Sequence, residues 1–449
     1  MDVANKKEPV LLFFGDMFFW YLSLWFTIFL RYGGDERTQA FDAHFLPFSI
    51  LFAVWALVFF IAGLYEKHTL IFKTRLPSAI LNTVFSNSII AVAFFYFIPL
   101  FGITPKTNLF LYLIISFCFV VLWRLYLAPA FSVKKKEKAI LIGSGREMHE
   151  LNDEVNNNKR YNLVFVSSLD LNQIDGVDFK REILDRVYTE GISVVVIDIA
   201  NSKIKPILPH LYNLIFLKVR FVDMYKVYED IFDRVPLSLV RYNWFLENIS
   251  TSRKLVYDFF KRLMDVTIVV VLGVISLVLY PFVALAIKID DGGGVFSFQK
   301  RVGQNNKLVE IMKFRTMRFP NDDAKWGTTD NKITRVGAFL RKSRIDELPQ
   351  LWNVLKGDIS LIGPRPEFER AVREYADKIP YYNIRHIIKP GLSGWAQIYH
   401  ERHPHHGVDI DETRNKLSYD LYYIKNRSLV LDLKIALKTI KTLLLRSGV

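Results

Sequence analysis

The chain has 449 residues, of which 51% are hydrophobic and 15% aromatic, yet its formal net charge at pH 7 is +14. This composition indicates an integral membrane protein whose soluble part meets an anionic surface or substrate. The single cysteine, Cys118, excludes an intrachain disulfide and a zinc site built on cysteines. The sequence carries no zinc-finger, helix-turn-helix or RNA-binding motif, so we expect no nucleic-acid partner.

Four apolar stretches open the chain, each close to the ~20 residues that a membrane-spanning helix needs. They cover residues 10–30, 45–65, 76–100 and 109–127. Asp16, Arg124 and the polar run 82–88 interrupt them, and we expect these side chains to face the interior of a helical bundle. The first stretch is too long for a cleavable signal peptide, and no small-residue cleavage site follows it.

Basic residues predict the orientation of this four-helix block. Those that we assign to one side are Lys6, Lys7, Lys67, Lys73, Arg75, Lys134, Lys135, Lys136 and Lys138. The loops on the other side are balanced in charge or nearly uncharged. By the positive-inside rule, both ends of the block lie on the cytoplasmic side.

The next segment has the pattern of a small α/β domain. "KKKEKAILIGSGREMHELNDEV", residues 134–155, has the pattern of a strand, a glycine turn and a helix. Strand-like runs at 163–167, 193–199 and 219–222 alternate with polar or helical segments. Such alternation predicts a parallel sheet in a Rossmann-like domain over residues 134–250.

A partial dinucleotide-binding fingerprint lies in this domain. Gly143 and Gly145 begin it, but Met148 replaces the third glycine and no acidic residue clearly ends the second strand. An incomplete glycine pattern is weak evidence. A structural or dimerising domain is therefore favoured, and a bound nucleotide remains the alternative.

A fifth apolar run covers residues 266–287, which is long enough to span a membrane. Basic residues flank both of its ends, so both ends favour the cytoplasmic face. Pro281 removes a backbone donor and bends a helix. We therefore predict a re-entrant helix over residues 260–288, with a plain fifth span as the alternative. The tail, residues 429–446, is predicted to be a helix lying on the membrane surface, or alternatively packed in the core.

The stretch "SRIDELPQL", residues 343–351, puts two carboxylates, Asp346 and Glu347, at the end of a basic run. Pro349 is tolerated only in a first helical turn, so a helix should begin near the acidic pair. An ordinary N-cap is the bland interpretation. The nearby cations favour chemistry instead, and they are Lys313, Arg315, Arg341 and Arg344. Cations around a carboxylate suit a pyrophosphate donor, which one carboxylate attacks while its neighbour holds Mg²⁺.

A second short segment points to phosphate or nucleotide recognition. Arg365 stands between Pro364 and Pro366, which limit its backbone freedom and present the guanidinium at low entropic cost. A rigid structural turn explains the same residues equally well.

From residue 253 onward, the chain resembles the bacterial sugar transferases, which are polyprenyl-phosphate hexose-1-phosphate transferases. The matching stretches are "KRLMD" (261–265), "DGGGVFSFQKRVG" (291–303), "KFRTM" (313–317), "RVGAFLRKSRIDELPQLWNVLKGDISLIGPRPE" (335–367), "PGLSGWAQ" (390–397) and "KLSYDLYYIKNRS" (416–428). The resemblance implies three domains. They are a transmembrane helical bundle (1–133), the Rossmann-like α/β domain (134–250) and an α-rich monotopic catalytic domain with the re-entrant helix (251–449).

The resemblance also implies a reaction: a sugar-1-phosphate passes from a UDP-sugar to undecaprenyl phosphate, UMP is released, and a polysaccharide repeat unit is begun. Asp346 would be the nucleophile, Glu347 would bind Mg²⁺, and Arg365 with Pro364 would belong to the uridine nucleotide site. The residues implied at the membrane interface are Lys261, Arg262, Asp265 and Pro281. The resemblance further implies a homodimer in the bacterial inner membrane, with the catalytic domain on the cytoplasmic face.

Two alternative functions and the role of one loop remain open. A membrane-bound nucleotide-sugar dehydratase needs a Tyr-x-x-x-Lys pair, and Tyr257 and Lys261 have that spacing. A non-catalytic scaffold of polysaccharide assembly is the other alternative. The loop "HERHPHHGVDID", residues 400–411, is predicted to be a solvated specificity loop, with metal binding by its histidines as the alternative. The transferred sugar is not predicted.

Overall fold

The computed structural model describes residues 8–65, 76–98, 106–132, 136–158, 161–173, 183, 185–249, 254–318, 333–399 and 409–445. The chain divides into two compact units, Met1–Ile231 and Phe232–Val449. The first unit holds the apolar helices and a parallel sheet, and the second holds the predicted catalytic motifs. The division into three domains stays a prediction.

Four long apolar helices begin the described chain, as predicted. They are α1 (Glu8–Arg31), α2 (Glu36–Ile61), α3 (Leu76–Phe97) and α4 (Lys106–Leu122), the last continued by a π-helical turn (Trp123–Leu127) and α5 (Ala128–Ser132). Within the described residues, four helices are long and apolar enough to cross a membrane individually. The α2 helix begins earlier than predicted because its first turns are polar, and a search for apolar runs misses them.

A buried ion pair joins the first and last of these helices. The guanidinium of Arg124 donates through Nε to Asp16 Oδ1 at 3.0 Å and through Nη2 to Asp16 Oδ2. Its Nη1 donates to the carbonyl of Leu64 at 2.7 Å. Both charged side chains are fully buried, which confirms that they face the bundle interior.

The prediction for the polar run 82–88 is only half right. Thr83 and Asn87 are buried, whereas Asn82 and Ser86 are exposed. Residues four apart share a helix face, so α3 turns one pair inward and the other outward. The Ser86 hydroxyl is satisfied by the carbonyl of Asn82 in its own helix, at 2.9 Å.

The Rossmann-like domain has the predicted parallel sheet. Its strands are β1 (Glu137–Gly143), β2 (Leu163–Asp170), β3 (Val194–Ile197) and β4 (Arg220–Asp223), in the spatial order β2-β1-β3-β4. Its helices are α6 (Arg146–Asn157), α7 (Arg186–Glu190), α8 (Leu208–Leu214) and α9 (Met224–Phe232), with a 3₁₀ segment at Ser202–Ile207. All its strand pairs are parallel. The central strands are apolar because parallel sheets are covered on both faces.

The structure corrects one point about the partial fingerprint. Strand β2 runs three residues further than predicted and ends at an acidic residue, Asp170, whose Oδ1 accepts a bond from the N–H of Asn172 at 2.8 Å. Gly143 has a packing role, since an added Cβ would lie 2.5 Å from Met224 Sδ. Nucleotide binding by this domain stays open.

The orientation of the helical block also stays a prediction. Most of the lysines and arginines behind it lie outside the described residues: Lys6, Lys7, Lys67, Lys73, Arg75, Lys134 and Lys135.

The described part of the second unit is mostly helical and also contains two small sheets. Its α-helices are α10 (Tyr242–Asn248), α11 (Leu255–Leu277), α12 (Tyr280–Asp291), α13 (Arg335–Lys342), α14 (Gln350–Lys356), α15 (Glu369–Lys378), α16 (Trp395–Tyr399), α17 (Ile410–Asn426) and α18 (Leu429–Leu445). Strands β5 (Phe296–Val302) and β6 (Leu308–Phe314) pair antiparallel, and β7 (Ser360–Ile362) and β8 (Gly391–Ser393) pair parallel.

The fifth apolar run is broken, as predicted. Helices α11 and α12 meet at a bend of 54°. The break lies at residues 278–279, and Pro281 follows it in the first turn of α12, where a missing N–H costs nothing. Val269 packs with Ile311 and Val354, and Ile287 packs with Phe314. Helices α11 and α12 therefore both pack against residues of strand β6.

The tail forms the predicted helix, α18, and its lysines contact aromatic side chains. Lys434 lies over the ring of Trp395, 5.0 Å from its centroid, and Lys438 donates to Tyr399 Oη at 2.5 Å. The lysines thus contact α16, whereas Leu433 and Val430 are exposed. An outward apolar face agrees with a helix lying on a membrane, which stays a prediction.

Candidate active site

The acidic pair lies in a tight turn between α13 and α14. Residues Ile345–Glu347 form a 3₁₀ turn, and the preceding Arg344 has a left-handed backbone with φ of +56°. A helical segment begins near the pair, as expected, but it is a 3₁₀ turn, and the α-helix α14 starts only at Gln350, directly after Pro349. A strained non-glycine residue beside reactive groups is common at functional sites.

Helix α14 buries one of its faces. Leu351 is 7% exposed and Val354 is fully buried, whereas Trp352 is 63% exposed. Leu351 and Val354 are three residues apart, so they lie on the same face of the helix, and both belong to one apolar cluster.

Glu347 gathers cations from three parts of the chain. Its Oε1 lies 2.9 Å from Arg365 Nη2, 3.1 Å from Lys313 Nζ and 3.9 Å from Arg344 Nη1. Burial alone would raise the pKa of Glu347, but the charges of Arg365 and Lys313 outweigh it and lower that pKa well below its usual range. Glu347 is therefore ionised at neutral pH.

Asp346 differs from Glu347 in its contacts and in the direction of its pKa shift. Its residue is 7% exposed, and its Oδ1 has no hydrogen-bond partner among the described residues. Burial raises the pKa of Asp346, and the nearby Lys313 charge opposes that rise. Burial also lowers the pKa of Lys313. A buried carboxylate oxygen without a partner is costly, so Asp346 Oδ1 is available to bind a ligand atom.

The Pro-Arg-Pro segment is held through its backbone. Pro364 is buried, and its carbonyl accepts a bond from the N–H of Gly391 at 2.9 Å. The carbonyl of Arg365 accepts from Arg385 Nη2 at 3.1 Å, and that of Pro366 accepts from Arg301 Nη1 at 3.3 Å. With its backbone fixed, the Arg365 side chain is free to reach Glu347.

A buried ion pair supports this backbone from behind. Arg385 Nη2 lies 2.8 Å from Asp420 Oδ2, and both side chains are at most 5% exposed. Arg385 Nη1 also donates to Tyr382 Oη at 2.6 Å. Burial raises the pKa of Asp420 to about 6, against the lowering effect of Arg385. The buried pair thus fixes the residue that holds the Arg365 carbonyl.

The other two predicted cations have partners of their own. Arg315 pairs with Asp291, and its guanidinium fills the space where a Cβ on Gly293 would lie. Arg341 donates through Nε to Thr316 Oγ1 at 3.1 Å, and its charge lowers the pKa of Asp346 against the dominant effect of burial. Arg341 therefore belongs with the acidic pair, and Arg315 braces the loop that follows α12.

The predicted membrane-interface residues connect α11 to the rest of the second unit. Lys261 pairs with Asp432 at 3.0 Å, and Arg262 donates to the carbonyls of Val354 and Leu355, both at 2.6 Å. Asp265 accepts from Ser360 Oγ at 2.7 Å. The Tyr257 hydroxyl also donates to Asp432, at 2.9 Å. Tyr257 and Lys261, the pair that a dehydratase would need, thus share a structural carboxylate.

Several residues of the site escaped the sequence reasoning: Asp291, Arg301, Arg385 and Asp420. Arg301 lies in a quoted motif, but its partners at residues 366 and 368 are distant in sequence. Asp291 and Asp420 also lie in quoted motifs, whereas Arg385 lies outside them, and the ion pairs Asp291–Arg315 and Asp420–Arg385 join positions that are far apart in sequence. Charged residues in otherwise apolar segments were the one available hint.

The two carboxylates of the acidic pair are of the type that a magnesium ion binds. No group of three or more His, Cys, Asp or Glu side chains suited to a metal occurs in the described part of the chain. However, Mg²⁺ commonly takes only one or two carboxylates and completes its shell with phosphate oxygens and water. The unpartnered Asp346 Oδ1 and the ionised Glu347 supply such carboxylates. The histidine-rich loop, residues 400–408, lies outside the described residues.

Comparison with known proteins decides the family. Residues 256–446 match the profile of the family described as bacterial sugar transferase. A UDP-glucose:undecaprenyl-phosphate glucose-1-phosphate transferase of Caulobacter vibrioides is 40% identical over 190 residues, which cover 70% of that protein and 42% of this chain. The chain belongs to the bacterial sugar transferase family. Membership makes the dehydratase alternative unnecessary.

Two other relatives share the same region. A UDP-N-acetylgalactosamine-undecaprenyl-phosphate N-acetylgalactosaminephosphotransferase of Aeromonas hydrophila is 45% identical over 202 residues, which are 43% of this chain and 45% of that protein. An Escherichia coli UDP-glucose:undecaprenyl-phosphate glucose-1-phosphate transferase is 35% identical over 183 residues, which are 40% of this chain and 39% of that protein. The matches thus span less than half the length of these two relatives.

Proposed function

We propose that this protein transfers a sugar-1-phosphate from a UDP-sugar to undecaprenyl phosphate and releases UMP. One observation carries the proposal. Asp346 presents a buried carboxylate oxygen without a partner, beside Glu347, which gathers Lys313 and Arg365. The names of several relatives describe the same class of reaction.

The chemistry runs in two steps. In the first, a carboxylate oxygen of Asp346 attacks the phosphorus next to the sugar, and the bond from that phosphorus to UMP breaks. UMP leaves with the electron pair, and the sugar phosphate is bound to Asp346 as an acyl phosphate. In the second step, a phosphate oxygen of undecaprenyl phosphate attacks the same phosphorus. The acyl-phosphate bond breaks, and the Asp346 carboxylate is restored.

The cations reduce the repulsion between the Asp346 carboxylate and the anionic donor. An anionic nucleophile is repelled by a pyrophosphate, and fixed positive charges around both remove that repulsion. Lys313 lies within 3.1 Å of Glu347, and its charge also acts on Asp346. Arg365 would bind the nucleotide phosphates, and Arg341 and Arg344 add positive charge beside the nucleophile.

Mg²⁺ is the proposed cofactor, with Glu347 as its protein ligand. When bound, it would neutralise charge on the phosphate oxygens of the donor. Lys313 and Arg365 already approach Glu347 Oε1, so they would hold this carboxylate in place while the donor enters.

The reaction needs the site at a membrane surface, because one substrate is a lipid. Val269 of α11 and Ile287 of α12 both pack against residues of strand β6. The exposed apolar residues between them, from Val270 to Phe282, are too few to cross the ~30 Å hydrocarbon core. This supports a re-entrant segment. We propose the cytoplasmic face of a bacterial inner membrane as its location, and the homodimer stays a prediction.

The experiment is UMP release by the detergent-purified protein. UDP-glucose, UDP-galactose, UDP-N-acetylglucosamine and UDP-N-acetylgalactosamine are tested singly with undecaprenyl phosphate and Mg²⁺. The variant Asp346→Asn is run in parallel, with Asp411→Asn as a control on an exposed aspartate (86% exposed side chain).

We expect one donor to release UMP. Continuous release should require undecaprenyl phosphate, and Asp346→Asn should release no UMP. The same panel also names the sugar. If no donor releases UMP, or if Asp346→Asn is as active as the parent, the proposed function fails and the scaffold alternative gains support.

A further inference from the structure

A cavity lies in the unit that carries the acidic pair. Its volume is about 400 Å³, and it is bordered by α11, β7, the 3₁₀ segment Tyr382–Ile387 and the end of α17. Its wall is partly apolar, through Ile359, Ile362 and Ile388, and partly charged. A cavity with both kinds of wall suits an amphiphilic ligand.

This cavity is separate from the proposed catalytic site. The acidic pair precedes α14, whereas the cavity lies at the other end of that helix, where Arg262 binds the carbonyls of Val354 and Leu355. The seven residues of α14 span about 10 Å. Neither Asp346, Glu347 nor Arg365 lines the cavity.

Some of the basic side chains that line the cavity lack an ion-pair partner among the described residues. Lys261 is paired with Asp432, and Asp265 is bonded to Ser360. Lys389 is exposed and has no ion pair within the described part of the chain, and an added Cβ on Gly357 would lie 3.5 Å from its Nζ. Arg427 has a buried Nε without a hydrogen-bond partner among the described residues.

Two acids oppose these cations. Asp258 and Asp265 both line the cavity, and Asp258 is exposed whereas Asp265 is buried. Lys389, Arg427 and Arg262 outnumber the two acids, and the two carbonyls that Arg262 binds do not remove its charge. The balance favours an anion such as a phosphate.

The cavity lies beside an apolar surface. On α11, Leu255, Val256 and Phe259 are 67%, 73% and 66% exposed, within one turn of Asp258. On α18, Val430 is 79% exposed, close in sequence to Arg427. Exposed apolar side chains next to basic ones are typical of a surface that meets a bilayer.

We propose that this cavity binds the phosphate group of an anionic membrane lipid, whose acyl chains lie against the exposed apolar residues of α11 and α18. The site is distinct from the one for the lipid substrate, because the substrate phosphate must reach Asp346. Such a bound lipid would anchor the first turns of α11 at the membrane surface. The proposal does not depend on the catalytic assignment, and its test needs no turnover.

The experiment measures lipid binding to the full chain in a neutral detergent by native mass spectrometry. The probes are phosphatidylglycerol, phosphatidylcholine and glycerol phosphate, which carries the headgroup phosphate without acyl chains. The test variant is Lys389→Gln/Arg427→Gln. Its matched control is Arg373→Gln/Lys378→Gln, which removes the same charges from exposed positions on α15. The single variant Lys389→Arg keeps the charge.

We expect the parent, the control and Lys389→Arg to bind phosphatidylglycerol alike and more tightly than phosphatidylcholine. The test variant should lose about tenfold or more in affinity while its unfolding temperature stays at that of the control. Equal binding by the test variant and the control overturns the proposal. Equal affinity for glycerol phosphate and phosphatidylglycerol overturns the assignment to a lipid.

Discussion

The side chain of Arg365 contacts Glu347, and the backbone carbonyl of Arg365 is bound by a second arginine, Arg385. Arg365 Nη2 lies 2.9 Å from Glu347 Oε1, while the Arg365 carbonyl accepts from Arg385 Nη2 at 3.1 Å. Because Asp420 holds Arg385 in turn, a chain of contacts runs from the buried core to the acidic pair. The geometry of the site therefore depends on residues far from it in sequence.

The variant Arg365→Lys tests the guanidinium at the acidic pair. A lysine keeps the charge but loses the planar fork of donors, so we expect kcat/KM for the UDP-sugar to fall by about tenfold to a hundredfold. Arg370→Lys, at an exposed position five residues away, should match the parent. Equal kinetics for both variants would remove Arg365 from the site.

The support behind Arg365 is tested by a pair of variants. Arg385→Gln leaves Asp420 without its partner and the Arg365 carbonyl without its donor, so both stability and UMP release should fall. Adding Asp420→Asn removes the unpaired charge, and we expect the unfolding temperature to recover. Activity should stay low with a raised KM, because the carbonyl is still not held. Recovery of activity along with stability would show that Arg385 has only a structural role.

The anchor of α18 is Asp432, which is fully buried. It accepts from Tyr257 Oη at 2.9 Å and from Tyr423 Oη at 2.7 Å, and it pairs with Lys261. Asp432→Asn leaves the Lys261 charge without its counterion, which should cost about 2–3 kcal/mol in the free energy of unfolding. Denaturant titration measures this cost. Asp411→Asn, on the surface of α17, should cost about 0.5 kcal/mol or less, and a similar small cost for Asp432→Asn would contradict the anchor.

His386 should make the free energy of unfolding depend on pH in the acidic range. Burial and the neighbouring Arg385 lower the pKa of His386 to about 3, and its Nδ1 lies 2.6 Å from Asn306 Oδ1. The folded protein keeps this ring neutral, whereas the unfolded chain binds a proton below its ordinary pKa of about 6.5. Stability should therefore fall as the pH falls from about 6.5 towards 3, by up to about 1.4 kcal/mol per pH unit for this group.

The variant His386→Gln isolates that contribution. Denaturant unfolding of the parent and the variant is compared between about pH 5 and about pH 7. The parent should lose more stability than the variant over this interval. An equal loss in both would mean that His386 is protonated in the folded protein.

The sequence predicts those parts of the fold that depend on local patterns. The apolar runs mark the four helices, and alternation of strands and helices marks the parallel sheet. The break before Pro281 is foreseen because proline cannot donate within a helix. At the site, Lys313 and Arg365 both lie beside Glu347. The sequence grouped Lys313 with the acidic pair, whereas it predicted Arg365 only as part of a separate phosphate- or nucleotide-binding segment.

What the sequence misses depends on tertiary contacts. Pro349 is compatible with either of two helix starts, and only packing of Leu351 and Val354 selects the later one. Arg385 and Asp420 are 35 positions apart, and no local pattern joins them. The lysines of α18 pack on aromatic rings of α16, which no periodicity along α18 reveals.

The most direct test of the central claim is to trap the intermediate on Asp346. The protein is incubated with Mg²⁺ and the UDP-sugar that it uses, without undecaprenyl phosphate, and is then digested for mass spectrometry. We predict that the peptide containing Asp346 gains the mass of one sugar phosphate, with UMP released in equal amount, and that Asp346→Asn gains nothing. The covalent mechanism would be contradicted by two results together: the peptide containing Asp346 is unmodified, and the same protein releases UMP once undecaprenyl phosphate is added.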